Sequence, residues 1–190
     1  MATVKTELEI EQAYVSMLYE RLDTLRARAA EGVEQTLRPG EQGGTLQGRL
    51  ERDALVTRYR DRLAQLWAAE GGLCFGRLDL ADGTRRYVGR LSLADDDREP
   101  LLVDWRAPAA QPFYRATPAN PGGVIRRRHL RTKGREVVAI EDDVLDLDAL
   151  SDDQRAQLSG EAALLAALNA SRTGRMADIV ATIQAEQDRI

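Results

Sequence analysis

The first 34 residues carry a heptad pattern that one helix cannot bury by itself. Apolar side chains recur at alternating steps of three and four residues, interrupted by Glu11: Val4, Leu8, Val15, Leu18, Leu22, Leu25 and Ala29. Such a seam needs a partner helix to cover it. Because neither proline nor glycine occurs before Gly32, the pattern predicts one long helix from about Thr3 to Glu34.

A second helix is predicted from about Thr45 to Glu70, where apolar side chains repeat the stepping: Val56, Tyr59, Leu63 and Leu66. Glycine and proline in residues 36–44 separate the two helices, and Gly71-Gly72 ends the second. Helices of similar length joined by a short polar loop fold back on each other. The first would be roughly 45 Å long, more than a small core needs. We therefore expect a hairpin that projects from a globular body; the alternative is a seam for self-association.

Beyond residue 72 the apolar pattern changes to a period of two, which indicates short strands. The predicted strands are Leu73–Leu80, Arg86–Leu93, Pro100–Trp105, Phe113–Ala116, Val124–Thr132 and Arg135–Ile140. Tight turns are predicted at Asp82-Gly83, at Asp95-Asp96-Asp97 and at Lys133-Gly134. These segments predict a small antiparallel sheet or a partly closed barrel.

The last part of the chain returns to helical patterns. Ser151 and Gln154 have the spacing of a capping box, in which each side chain satisfies a backbone donor. A helix from there would turn Leu158, Leu165 and their neighbours inward, and a helix-like stretch ends the sequence, which suggests a truncated chain. The expected class is α+β, with a projecting hairpin at 1–70, an antiparallel β domain at 71–145 and a helical segment at 146–190.

Composition excludes several classes of protein. The net charge of −4 argues against wholesale wrapping in nucleic acid, and no apolar run approaches the roughly 20 residues that span a bilayer. The start lacks a secretory signal, so we expect a cytoplasmic protein. Cys74 is the single cysteine, and with His129 as the single histidine neither a disulfide framework nor a zinc site is expected. A catalytic Cys74–His129 pair would need a third orienting group, and none is evident.

Charge is unevenly distributed along the predicted sheet. A basic stretch, residues 126–131, precedes an acidic one, residues 141–153. Arg126, Arg128 and Arg131 are candidate contacts to phosphate, since guanidinium groups fit phosphate oxygens well. The alternative is a solvated sheet face on which these arginines pair with nearby acids.

Several motifs occur together in an order that resembles one family. The motifs are Tyr87-Val88-Gly89-Arg90, Asp104-Trp105-Arg106-Ala107-Pro108, Pro112–Pro118, Arg127–Thr132, Arg172–Met176 and Asp178–Gln187. This succession resembles the amino-terminal region of HelD-like proteins, which are related to the UvrD type of superfamily 1 helicases. The resemblance runs from Tyr87 to the end of the chain, and the leading hairpin agrees with it in kind.

The resemblance implies a function that the residues alone do not. Ile183–Gln187 looks like the Q motif, in which Gln187 would contact the adenine of ATP, and the phosphate-binding loop follows downstream in the family. ATP and magnesium are therefore expected in the full-length protein, and no cofactor in this chain. Without a phosphate cradle or magnesium ligand, the chain alone is expected not to hydrolyse ATP.

The same resemblance implies RNA polymerase as the partner. The family's hairpin enters the secondary channel of the polymerase, and the motor helps to release it from nucleic acid. The expected partner-binding residues at the hairpin tip are Glu31, Glu34 and Glu41. The full-length protein would also contact DNA or RNA. The chain alone is expected to be a monomer, with no membrane contact; a coiled-coil dimer and a nucleic-acid-binding β domain are the alternatives.

Overall fold

A computed structural model describes residues 6–38 and 45–146. Two long helices come first, α1 (Glu7–Leu37) and α2 (Leu46–Ala68). The strands are β1 (Cys74–Leu80), β2 (Arg85–Gly89), β3 (Leu93–Ala94), β4 (Pro100–Asp104), β5 (Val124–Lys133) and β6 (Glu136–Val144), with a 3₁₀ helix (Pro108–Ala110) and α3 (Gln111–Arg115) between β4 and β5. The α+β class is confirmed, while the predicted helices after residue 146 lie outside the described residues. No helix of the described ranges is long and apolar enough to cross a membrane.

Side-chain caps set the starts of both long helices. The Thr6 hydroxyl accepts a hydrogen bond from the Glu9 amide at 3.3 Å, and the Glu9 carboxylate accepts one from the Thr6 amide at 2.7 Å. This capping box satisfies two backbone donors that a helix start leaves free. The Thr45 hydroxyl accepts from the Gly48 amide at 3.1 Å and caps α2 in a similar way.

The α1 and α2 helices form the predicted hairpin. The buried residues of the hairpin are Glu11, Val15, Leu18, Tyr19, Leu22, Arg26 and Ala29 of α1 and Val56 and Leu66 of α2. Leu8, a predicted seam residue, is 38% exposed. Tyr19 and Arg26 point inward although the heptad pattern does not include them.

The six strands form one sheet in the order β3-β4-β2-β1-β5-β6. In the antiparallel β1–β5 pair, Gly76 lies opposite His129 and Arg77 opposite Arg128. The predicted turn at Asp82-Gly83 is present, and Gly83 takes the positive φ of 82° that suits glycine. Because β3 and β6 are edge strands, the sheet is open and the alternative of a partly closed barrel is wrong.

Two predicted strands differ from the structure. The pattern predicts an extended Phe113–Ala116, but Phe113 lies in α3, which follows directly from the 3₁₀ helix. Pro112 stands in the first turn of α3, where its missing N–H leaves no intrahelical bond unmade. The predicted strand Arg86–Leu93 is divided, because β2 ends at Gly89 and β3 starts at Leu93.

The chain divides into two compact units. The first contains α1, α2 and the segments Gly89–Leu102 and Arg131–Ala139, and the second contains Phe75–Val88, Val103–Leu130 and the described residues from Ile140 onward. The second unit has a hydrophobic core built from Leu78, Val88, Ala110, Phe113, Ala116, Val124 and Leu145. The ring of Phe113 occupies the space above Gly76, so closely that a Cβ atom at Gly76 would collide with the ring.

Candidate functional site

Within the described ranges, the outer half of the hairpin has no buried residue. Residues 30–37 of α1 and 46–55 of α2 are all exposed or half-buried, whereas the buried part of α1 runs from Glu11 to Ala29. Leu37, Leu46 and Leu50 are large apolar side chains that lie exposed there. Among the described residues, this outer half therefore contributes little to any core, and its side chains are available to a partner.

Two of the predicted partner-binding residues lie in this outer half. Glu31 and Glu34 are both exposed, and Glu31 accepts a hydrogen bond from the Gln35 amide group at 2.8 Å. Residues three apart are neighbours on a helix surface, so the two carboxylates form a small acidic area on α1. Glu41 lies outside the described residues.

The inner half of α1 is fixed by polar contacts within its unit. The Gln12 side chain accepts a hydrogen bond from the Val137 amide at 2.7 Å. The Arg21 guanidinium donates to the main-chain oxygen of Ala94 at 2.8 Å. The Tyr14 hydroxyl donates to a main-chain oxygen of β4 at 2.9 Å, and burial raises its pKa to about 12. One half of the hairpin is thus anchored, while the other half is not.

Arg26 joins the two helices near the end of α2. Its guanidinium donates to the Glu70 carboxylate at 2.6 Å, to Asp23 at 2.9 Å and to the main-chain oxygen of Leu66 at 2.8 Å. The same group lies 4.0 Å from the centre of the Trp67 ring, a cation–π contact. Arg26 is buried, so these contacts balance a charge that would otherwise be costly to desolvate.

Arg135 completes this network from the turn between β5 and β6. Its guanidinium donates to Asp23 at 2.6 Å and to Glu70 at 2.7 Å, and it lies 4.7 Å from the centre of the Tyr19 ring. Hydrogen bonds from Arg135 hold the carboxyl pKa values of Asp23 and Glu70 below their ordinary range. The Tyr19 hydroxyl donates to the main-chain oxygen of Glu70 at 2.8 Å. The network therefore ties α1, the end of α2 and this turn together.

The basic strand β5 directs two of its predicted phosphate-binding residues at carboxylates of its own unit. Arg126 donates to Asp79 at 2.7 Å. Arg128 makes two hydrogen bonds to Asp142, each 2.6 Å long, and is only 1% exposed. Both arginines pair with nearby acids, as in the alternative, but Arg128 is buried and does not lie on a solvated face. Arg131 lies further along β5 and is exposed.

Asp79 also pairs with a second arginine, Arg77, which is buried. Arg77 lies 2.8 Å from one Asp79 oxygen and donates to the other at 3.0 Å. Burial pushes the pKa of Asp79 up, but the charges of Arg77 and Arg126 outweigh it and hold the pKa below its ordinary value. Asp79 therefore stays ionised and serves as the counter-ion of two guanidinium groups.

Sequence motifs far apart in the chain meet around Phe113. Arg127 donates to the main-chain oxygen of Phe113 at 2.9 Å and to the Asp143 carboxylate at 2.8 Å. The His129 imidazole lies 5.1 Å from the Phe113 ring and 3.4 Å from Asp143. The basic strand thus positions α3, which gives a physical reason for the two motifs to occur together.

The dimer alternative requires side chains that are already buried in the described structure. Val15 and Leu22 have no exposed surface, whereas Leu8, another residue of the seam, is 38% exposed. Association through this seam would require Val15 and Leu22 to become exposed.

Among the described residues there is no group of three or more His, Cys, Asp or Glu side chains that could hold a metal ion. Cys74 is buried at the start of β1. Gln187, the predicted adenine contact, lies outside the described residues.

Comparison with known proteins identifies the family. The family model of the DNA helicase IV HelD N-terminal domain matches residues 8–158, most of the chain. A search of curated proteins gives no significant match. The match covers the hairpin, the sheet and the motifs around Phe113, and it bears out the resemblance seen in the sequence. The chain therefore belongs to the family of HelD N-terminal domains and is a helicase-associated N-terminal module.

Proposed function

We propose that this chain is the RNA polymerase-binding module of an ATP-driven, helicase-like motor that releases polymerase from nucleic acid. In the full-length protein the following motor domain would bind ATP and magnesium, and Gln187 would contact the adenine. The chain alone acts as a binding module. An ATP turnover above background that is lost on mutation within this chain would contradict this division of labour.

The observation that carries the proposal is the contrast between the two halves of the hairpin. The α1 helix has 31 residues, which corresponds to a length of about 46 Å. Its inner half is fixed by Gln12, Arg21 and Arg26, while the outer half of the hairpin presents exposed carboxylates and leucines. Each helix is about 10–12 Å wide with its side chains. A pair of them suits insertion into a narrow opening better than contact with a flat surface.

The acidic area on α1 provides the sharpest test. Reversing both charges, Glu31→Arg with Glu34→Arg, should weaken binding to purified core RNA polymerase about tenfold or more, since complementary charges across an interface would become repulsive. The measurement is a fluorescence anisotropy titration of the labelled chain. The matched control reverses two exposed acids elsewhere on the hairpin, Glu20→Arg with Asp61→Arg.

The control should change the affinity by no more than about twofold, because exposed charges outside an interface contribute little. Equal losses in the two double variants would show that net charge matters and not the outer half. A wild-type chain that fails to bind polymerase would refute the proposed function itself.

A further inference from the structure

Two large aromatic side chains lie exposed in the segment that joins β4 to β5. Trp105 is 48% exposed and Tyr114 is 52% exposed. Trp105 belongs to a turn closed by the hydrogen bond from the Ala107 amide to the Asp104 oxygen at 2.9 Å. Tyr114 belongs to α3, which contacts the 3₁₀ helix directly after that turn. Exposed aromatic side chains in one short segment mark a candidate interaction surface.

These rings belong to well-fixed backbone. Arg106 makes two hydrogen bonds to the Asp104 carboxylate, at 3.0 and 2.7 Å, across the turn that carries Trp105. The Tyr114 ring packs edge-on against Phe113, with ring centres 5.3 Å apart, and Phe113 is buried in the core. Partial burial and the charge of Asp104 raise the pKa of Tyr114. A surface held in place loses less conformational entropy on binding.

The same surface has an excess of positive charge. Residues 104–116 contain Arg106, Arg115 and one acid, Asp104. Arg86 joins them, because its guanidinium donates to the main-chain oxygen of Ala109 at 3.1 Å. Arg86 also lies close enough to Asp82 for the two charges to interact, so three arginines stand against two carboxylates. Arg115 is exposed, and no ion pair to a carboxylate is formed by it within residues 6–38 and 45–146.

We propose that Trp105, Tyr114 and Arg115 form a binding surface for single-stranded nucleic acid. Unpaired bases stack on the two rings, and phosphate groups pair with Arg115 and Arg86. Stacking on aromatic side chains beside arginines is the usual means of binding single strands without reading their sequence. A duplex would hide the base faces, and an acidic peptide would satisfy the arginines but leave the rings unused.

This inference goes beyond polymerase binding and uses different residues from the basic strand. Arg126 and Arg128 are held by Asp79 and Asp142, so their charges are balanced within the protein. On the surface around Trp105, by contrast, the positive charge of Arg115 is exposed to solvent. Binding here would let the module contact a single strand independently of the hairpin.

The test is an anisotropy titration of fluorescein-labelled oligothymidine with the 190-residue chain at low salt. Trp105→Leu and Tyr114→Leu keep apolar bulk but remove the aromatic ring, and each should weaken binding by roughly 5- to 100-fold. Tyr114→Phe keeps the ring and should bind as the wild type does. Arg115→Gln should reduce the slope of log affinity against log salt by about 0.7, the loss of one phosphate contact.

Arg58→Gln, at an exposed arginine of α2, is the matched control and should leave affinity and salt slope unchanged. Thermal melting of every variant shows whether the fold is kept. If a leucine variant has a lowered melting temperature, the affinity of Tyr114→Phe and the salt slope of Arg115→Gln still test the proposal. Absence of binding at low salt, or equal binding by the leucine variants, would overturn the proposal. If polyglutamate displaced the labelled oligothymidine as effectively as unlabelled oligothymidine does at equal charge, the proposal would also be overturned, in favour of an acidic protein ligand.

Discussion

Replacement of Asp142 by asparagine should destabilise the chain, because it removes the counter-ion of a buried arginine. Arg128 is 1% exposed, and both of its hydrogen bonds to Asp142 are 2.6 Å long. Asparagine keeps the size and one acceptor oxygen but loses the negative charge. One charge-assisted bond is then lost and the other becomes an ordinary hydrogen bond to a neutral group.

The magnitude follows from these contacts. A hydrogen bond to a charged group contributes about 1.5–3 kcal/mol, and breaking a buried ion pair costs about 3–5 kcal/mol. The Asp142 side chain keeps 24% exposure, so water replaces part of the lost interaction. We therefore expect the free energy of unfolding to fall by about 2–3 kcal/mol.

Urea denaturation followed by circular dichroism and by tryptophan fluorescence measures this change, and the two signals must give the same midpoint before a two-state analysis is valid. Asp143→Asn is the matched control; its ion pair with Arg127 is more exposed, and the loss should stay below about 1 kcal/mol. Replacing both partners, Arg128→Met with Asp142→Leu, should cost less than Asp142→Leu alone, because the buried guanidinium group is removed together with its carboxylate. A loss below about 0.5 kcal/mol for Asp142→Asn would refute the reasoning.

Two further predictions concern close packing and pH. Gly76→Ala should lower the free energy of unfolding by about 1–3 kcal/mol, because its methyl group would collide with a buried ring, whereas Gly71→Ala has open space around it; thermal melting that gives the same midpoint for both would contradict the packing argument. The carboxyl pKa values of Asp23 and Glu70 lie below their ordinary values of 3.8 and 4.5, so the stability that they contribute is present above those values and is lost as pH falls through the folded-state pKa values. As the pH is lowered from about 5 to 3, the urea concentration at the unfolding midpoint should fall less in Arg135→Gln than in the wild type. Parallel pH profiles of the two proteins would count against this linkage.

Periodicity is sufficient to predict the hairpin, because the heptad steps that include Val15 and Leu22 are typical of two helices packed along a seam. Periodicity does not predict the burial of Tyr19 and Arg26. Their long side chains bury their apolar parts and still reach polar partners. The one sequence feature that indicates the burial of Arg26 is its spacing of four residues from Leu22, which places both on the same face of the helix. Pro112 predicts an interruption, but proline is also favoured in the first turn of a helix, and α3 differs from the predicted strand for that reason.

The candidate site is less predictable than the fold. The sequence shows a basic run and an acidic run, but the pairing of Arg126 with Asp79, 47 residues away, depends on strand register. Register is not accessible from periodicity alone, since a shift of one residue would move every side chain to the other face. The exposure of Trp105 and Tyr114 likewise depends on the turn and helix between β4 and β5.

The acidic character of β6 has a consequence for the behaviour of the protein at high concentration. This nine-residue strand is one edge of the sheet, and it carries Glu136, Glu141, Asp142 and Asp143. At a sheet edge, backbone groups that no neighbouring strand pairs could accept a strand from a second copy. Two such edges would bring like charges opposite each other, which destabilises the pairing. The carboxylates that hold Arg127 and Arg128 in place would therefore also oppose aggregation of the chain through this edge.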